Sequence, residues 1–371
     1  MGGLTIEPAV LAGLADSAEA SERNGALVPA SVEALGEAGV FRALVPAAFG
    51  GGEAHPGELI RAIEAIAAAD GSAGWCAAIG ATSGLVAGYL PEPSAAELFS
   101  DPGTIAAGVF APRGDLEQVG EGRRQLSGRW PLASGISHAT LVGLGCVDRG
   151  RGPLYAVLRR DEVEVVETWD ALGLRATASH DAIARAVEIP SERVTGLLGG
   201  EPVAAGALYS FPLFGLLAVS IAAVCTGIAV GALAEVVAST PTRQSAGSSR
   251  SLAERATTQE RVAAAEARLR AARAGVESAI GSAWARAAEG ERLSVEERLG
   301  LRLAATHAAI SAVEVVDAAH RLGGSGALYR GTLERRLRDV HTAAQHMIVA
   351  PATLELSGRL LLGLDTDTAQ L

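Results

Sequence analysis

The apolar positions of this chain change their period twice. Up to about residue 103 they recur every three or four residues, and Leu59, Ile63 and Ile66 share one face of a helix that ends near Asp70-Gly71. Ahead of it, Val28-Pro29 opens a helix with proline in the first turn, where its missing N–H costs nothing; Val32 and Leu35 face inward and Gly39 suits the stop. Phe49-Gly50-Gly51-Gly52 reads as a turn. From Thr104 to about Val194, short β-prone runs alternate with turn residues. The candidate strands are 105–110, 125–131, 140–147, 154–158, 163–166 and 182–189, with Gly120-Glu121-Gly122 and Asp148-Arg149-Gly150 as hairpin turns. After Gly199-Gly200 the helical period returns. Val262, Leu269, Val276 and Ala283 stand seven apart, and Ala265, Ala272 and Ala279 fill a second seam. Further helices run from Ser294 to about Leu322, stopping at Gly323-Gly324, and over 333–346 and 351–361; the loop 240–251 is polar and exposed. The pattern predicts a helical domain over 1–103, an all-β domain over 104–198 and a helical bundle over 199–371.

Composition sharpens this picture. Hydrophobic residues make up 49% and aromatics only 4%, so alanine dominates the apolar set and the chain is mainly α. A formal net charge of −11 disfavours a general affinity for nucleic acid or an anionic membrane. Cys76, Cys146 and Cys225 lie far apart, without CxxC or Cys/His metal spacing, and read as buried free thiols in a reducing cytoplasm. The start of the chain carries no signal-peptide pattern. No charged residue occurs from Pro202 to Ala234, and 208–237 is nearly all apolar. Gly, Ser and Pro interrupt it and no basic flank follows, so it is expected to be a helix buried in a core or an oligomer interface rather than a membrane span.

Four strings carry a family resemblance: Asp70-Gly71-Ser72-Ala73-Gly74-Trp75; Ser127-Gly128-Arg129-Trp130-Pro131-Leu132-Ala133-Ser134-Gly135-Ile136-Ser137-His138-Ala139; Gly173-Leu174-Arg175-Ala176-Thr177-Ala178-Ser179-His180-Asp181; and Gly323-Gly324-Ser325-Gly326 followed by Glu334-Arg335-Arg336-Leu337-Arg338-Asp339. In this order, and across α, β and α segments, they resemble the acyl-CoA dehydrogenase superfamily. The second string and Arg338-Asp339-Val340-His341-Thr342-Ala343-Ala344-Gln345-His346 look like its reduced-flavin-dependent, two-component monooxygenase branch. The resemblance implies an N-terminal helical domain, a β-barrel domain and a C-terminal four-helix bundle. It also implies FAD or FMN delivered reduced by a separate reductase, and oxygenation of a small organic substrate through a C4a-(hydro)peroxide. Relatives are commonly tetramers. Ordinary dehydrogenases carry an acidic residue where Gln345-His346-Met347 stands; an FAD-dependent acyl-CoA dehydrogenase, with Glu355 as the nearest acid, and a non-catalytic flavin-fold protein are the alternatives.

Flavin oxygenation requires the ring to be held, water to be kept away and a proton donor or acceptor near the substrate. His346 stands at the position of a catalytic histidine in the hydroxylating relatives and titrates in the useful range. Ser134 is expected to hydrogen-bond near the flavin N5, Trp130 to pack on the ring or anchor the β domain, and His138 to orient or support. Ser83 stands where phenol-hydroxylating relatives carry a histidine, which puts phenol hydroxylation in question. Arg243, Gly323 and Gly324 are the expected contacts for the flavin tail. His307 is expected in the core or an interface, and no metal site is expected.

Overall fold

The computed structural model describes residues 3–148, 152–197, 200–244 and 249–371. Arg149 and Gly150 of the expected hairpin turn, Gly199 of the domain boundary and positions 245–248 of the polar loop lie outside the described residues. The N-terminal domain holds α1 (Pro8–Asn24), α2 (Pro29–Glu37), α3 (Pro56–Ala69), α4 (Gly71–Gly84) and α5 (Glu92–Phe99). Proline occupies the first turn of α1, α2, α3 and α5, where it fixes φ at no hydrogen-bonding cost. Asp70 ends α3 but also starts α4: its carboxylate accepts from the Ser72 and Ala73 N–H groups at 3.4 and 3.2 Å. The sequence pattern misses α4 because every residue but Ile79 is buried, and a helix enclosed on all sides has no polar face to betray its period.

The strands are β1 (Ala106–Gly120), β2 (Arg123–Ala133), β3 (Leu141–Asp148), β4 (Gly152–Arg159), β5 (Glu164–Val166), β6 (His180–Pro190) and β7 (Val194–Thr195). All six expected strands form; β7, two residues long, is additional. They make one sheet in the order β5-β6-β2-β1-β3-β4-β7, parallel only between β1 and β3. The order leaves β5 and β7 as edges, so the sheet is not closed by a ladder between its ends among the described residues. Its own core contains Leu126, Trp130, Leu144 and Leu158.

The C-terminal domain holds α6 (Ala207–Ser210), α7 (Leu213–Ser239), α8 (Ala256–Ala288), α9 (Val295–Gly323), α10 (Thr332–Ala343) and α11 (Thr353–Leu361). The apolar segment is α7, packed against α3, α4, α9 and α10, so it is the central helix of this chain's own core. On α8 the buried seam runs Ala265, Leu269, Ala272, Val276, Ile280, Ala283 and Ala287. Ile280 replaces the expected Ala279, because a straight helix drifts about 20° per heptad. Helix α10 stops at Ala343, so His346 lies in the turn leading to α11 rather than on a helix.

Candidate functional site

The carboxyl end of β2 turns sharply. Leu132 has φ 65° and Gly135 φ 75°, the latter a left-handed position that glycine occupies without cost. Ser134 N–H bonds the Leu132 carbonyl at 2.9 Å and Gly135 N–H the Thr177 carbonyl at 2.8 Å. This turn buries Ser134 and points its hydroxyl into a chain. Trp75 Nε1–H donates to Ser134 Oγ at 2.9 Å; Ser134 Oγ and Ser179 Oγ are 2.7 Å apart; Ser179 Oγ and Thr177 Oγ1 are 2.6 Å apart; Thr177 Oγ1 reaches the Leu174 carbonyl at 2.8 Å. Indole only donates and a carbonyl only accepts, so the protons run from Trp75 through Ser134, Ser179 and Thr177 to Leu174. Leu174 (φ 51°) and Ala178 (φ 45°) join Leu132 as non-glycine residues in the left-handed region. Three of them around one hydroxyl chain mark a place where backbone strain, about 1–2 kcal/mol each, is held by its surroundings.

Those surroundings are α4 and α10. Asp339 Oδ1 accepts the Leu174 N–H at 2.6 Å, and Arg338 Nη1 donates to the Leu172 carbonyl at 3.0 Å. Burial, reinforced by the nearby Asp70, pushes the Asp339 carboxyl up to about 7. Burial also raises Asp70, against the pull of Arg335 and its two amide donors. Asp339 thus ties the 172–178 loop to α10, while Asp70 caps α4 close beside it.

His346 faces the same centre. Its ring meets Trp75 edge-on, with centroids 5.6 Å apart at 66°. Burial first, and the Arg302 charge second, lower its pKa to about 4, so it is neutral at neutral pH. Nδ1 accepts the Ile348 N–H at 3.4 Å, which leaves the proton on Nε2. Trp75, Ile79 and Ser83 lie at helical spacing on one face of α4, and Ile79 is the one residue of α4 not buried. At the far end, Ser83 Oγ and Tyr155 Oη are sealed from solvent with no hydrogen-bond partner. Tyr155 lies across Gly108 and Gly143, paired neighbours on β1 and β3; a Cβ at either would collide with the phenol. Phe110 stacks on Tyr155 at 5.1 Å and 16°.

The structure therefore joins Ser134 to His346 through Trp75, a residue the sequence placed in a family string without a role. Ser83 is two turns further along α4, about 12 Å at 1.5 Å per residue. His138 packs beside Gly135 and Phe41, its pKa lowered to about 4 by burial, as a support for the turn. Of the two readings of Trp130, ring contact is corrected and β-domain anchor stands: it is 0% exposed, its Nε1–H bonds the Gly145 carbonyl at 2.7 Å, and it shares the inward side of β2 with Leu126, while the left-handed Leu132 breaks the alternation and faces out. Arg243, Gly323 and Gly324 do come together: Arg243 Nη2 donates to the Gly323 carbonyl, and a Cβ at Gly324 would stand 3.6 Å from it. His307 is exposed on α9, not in the core, and Glu355 is exposed on α11. Ser179, Thr177 and Arg302 also belong to this region: the first two stand in a family string that gave them no role, and nothing in the sequence setting of Arg302 separates it from an ordinary helix cation.

A flavin ring is flat and apolar with a polar edge. Leu132 (63% exposed), Leu172 (66%) and Met347 (71%) sit within two residues of Ser134, Leu174 and His346 respectively, and offer apolar surface beside buried polar atoms. The residues present fit such a group. Helices, a central sheet and a helical bundle meeting around Ser134, Trp75 and His346 define a flavin-using oxidoreductase architecture. The acyl-CoA dehydrogenase N-terminal domain matches residues 9–92 and the acyl-CoA dehydrogenase C-terminal domain matches 219–351. The chain belongs to the acyl-CoA dehydrogenase family. It is 35% identical to an indole-3-acetate monooxygenase of Pseudomonas putida, over 90% of this chain and 86% of the relative. It superposes on 3-HSA hydroxylase from Rhodococcus sp. RHA1 with TM-score 0.90 and 26% identity, covering 97% of both chains. It superposes on XiaF from Streptomyces sp., solved with FADH2 and glycerol, with TM-score 0.88 and 26% identity, covering 95% of this chain and 92% of the other.

Proposed function

We propose that this chain is the oxygenase component of a two-component flavin-dependent monooxygenase. It takes reduced FAD or FMN from a separate reductase and oxygenates a small aromatic or natural-product substrate. The observation that carries this reading is the Ser134–Trp75–His346 connection beneath an apolar rim. When bound, reduced flavin supplies the electrons that activate dioxygen. Leu132, Leu172 and Met347 are the exposed apolar side chains that would hold the ring and exclude water. Rotation of the three hydroxyls reverses the chain and turns the Ser134 proton outward, while the Trp75 N–H holds the oxygen in place. Burial takes His346 below the titration range its sequence position suggested, so its role is that of a neutral imidazole with the proton on Nε2, a hydrogen-bond donor beside Trp75. The dehydrogenase alternative lacks support: Glu355 lies on an exposed face, and Asp339 is engaged by the Leu174 amide.

A homotetramer is part of the same proposal. Exposed Leu328, Tyr329, Leu361 and Leu362 in the C-terminal domain support it; α7, being core, does not. Three buried free thiols support a cytoplasmic location. The test mixes the protein with anaerobically reduced FAD or FMN, measures binding against the oxidised forms, then admits isotope-labelled dioxygen with a panel of aromatic substrates. Tighter binding of a reduced flavin and label in a product are expected; equal or absent binding of both, or no label, refutes the reading.

A further inference from the structure

Arg302 is the charge in the molecule that its surroundings do not account for. It lies on α9, 5% exposed. Nε and Nη1 are sealed from solvent, and none of its nitrogens has a hydrogen-bond or ion-pair partner among the described residues. Other buried arginines differ. Arg42 donates to the Phe49, Phe99 and Asp101 carbonyls, Arg124 bonds Gln118 and Asp148, and Arg193 pairs with Glu97 and Glu162. Helical phase fixes where Arg302 looks. The hydroxyl of Thr306, one turn on, lies 2.6 Å from Thr353 Oγ1 at the start of α11, and the Arg302 charge acts on His346 in the turn that leads into that helix. A buried, unpaired guanidinium is unfavourable, and it persists only where something else compensates it. Its planar fork of five donors matches a carboxylate in two parallel bonds.

We propose that Arg302 is a specificity-determining residue that receives the carboxylate of the substrate, so that the substrate is a small aromatic acid. Its acidic arm reaches Arg302, and its ring lies along the Trp75, Ile79 and Phe110 wall beside His346. The inference rests on the substrate site assigned under Proposed function. The Pseudomonas relative is named for a substrate of this chemical class.

The test is calorimetric and needs no turnover. Indole-3-acetate and its neutral isostere indole-3-acetamide are titrated into wild type, Arg302→Met and Arg302→Gln, each flavin-free and with reduced flavin under anaerobic conditions. Wild type should bind the acid about 10- to 100-fold more tightly than the amide. Both variants should lose that preference while keeping their affinity for the amide, and neither should unfold at a lower temperature than wild type, since an unpaired buried charge has been removed. Equal binding of acid and amide by wild type, no acid binding in either flavin state, or a preference that survives both substitutions would each overturn the proposal. So would a change of oligomeric mass in the variants with the preference intact, which assigns the charge to a subunit contact. Acid bound through Arg302 with no labelled oxygen in any product sinks the oxygenase reading and leaves the carboxylate site standing.

Discussion

The bond between Trp75 and Ser134 is the hinge of the site, and a double-mutant cycle measures it. Ser134→Ala removes the acceptor and leaves the indole N–H buried beside a methyl group. An orphaned buried donor costs about 1–3 kcal/mol, and Ser179 loses one partner as well, so a loss of about 2–4 kcal/mol is expected. Trp75→Phe removes the donor but leaves Ser134 bonded to Ser179; its cost is mainly lost packing, about 1–3 kcal/mol. The double variant has no orphaned donor, so it should be less destabilised than the sum of the two singles by about 1–2 kcal/mol. Urea unfolding of the flavin-free protein, followed by circular dichroism so that loss of the indole does not bias the signal, gives all four stabilities. Strict additivity would show that no bond links the two residues in solution. The hydroxyl chain, and with it the route by which Ser134 is aimed at the crevice, would then be wrong.

Four further outcomes follow from the same geometry. His346→Ala should lower product formation at least about 100-fold in a single-turnover oxygenation assay, while the affinity for reduced flavin, read by fluorescence, stays within about twofold. Stability should fall as pH drops from about 6.5 to about 4, because His138 and His346, each lowered to about 4, resist protons that the unfolded chain accepts; each contributes about 3 kcal/mol, and urea titrations of His138→Gln and His346→Gln should show a shallower acid limb. Asp339 runs the other way: its carboxyl is raised to about 7, so the stability it adds is complete below the ordinary carboxylate range and lost as pH rises through 7, and Asp339→Asn should gain on wild type by about 4 kcal/mol between pH 4 and pH 8. Tyr155→Phe removes a buried hydroxyl that bonds nothing, so thermal unfolding should be unchanged or raised by about 1 kcal/mol, and a marked loss would reveal a hydrogen bond absent from this structure.

The three-domain order was readable because its periods are produced by burial on one side. Helix α8 shows its seam, and the six main strands alternate with turns, as amphipathic elements must. Elements buried on every side were not readable in this way. Helix α4 has no polar face, so Asp70-Gly71 looked like an ending when it is also a beginning. Among the site residues, Ser134 and His346 were legible through family strings, and the structure joins them. Trp130 carried two readings, ring contact or β-domain anchor, and the structure gives the anchor: a string fixes neighbours in sequence, whereas which residues of β2 face inward depends on local register, which shifts between Trp130 and Ala133. Arg302 was invisible for a different reason. On α9 it follows Glu296, Glu297 and Arg298 by about a turn, and only packing distinguishes an arginine sealed without a partner from one that is solvated.

That distinction bears on how the site works. A fold stable in its own right has no reason to keep Arg302 unpaired, Ser83 and Tyr155 unbonded, and three non-glycine residues in the left-handed region around one hydroxyl chain. Each is unfavourable alone, and together they amount to several kcal/mol that the surrounding cores must offset. The offset comes from the packing of α7 against α3, α4, α9 and α10, and the bond from the Leu174 N–H to Asp339 fixes the 172–178 loop against α10 before any ligand arrives. Such a site is organised for what it binds: a ligand with an apolar ring and an acidic arm relieves the unpaired groups without moving the backbone, and binding energy is not diverted into rearrangement.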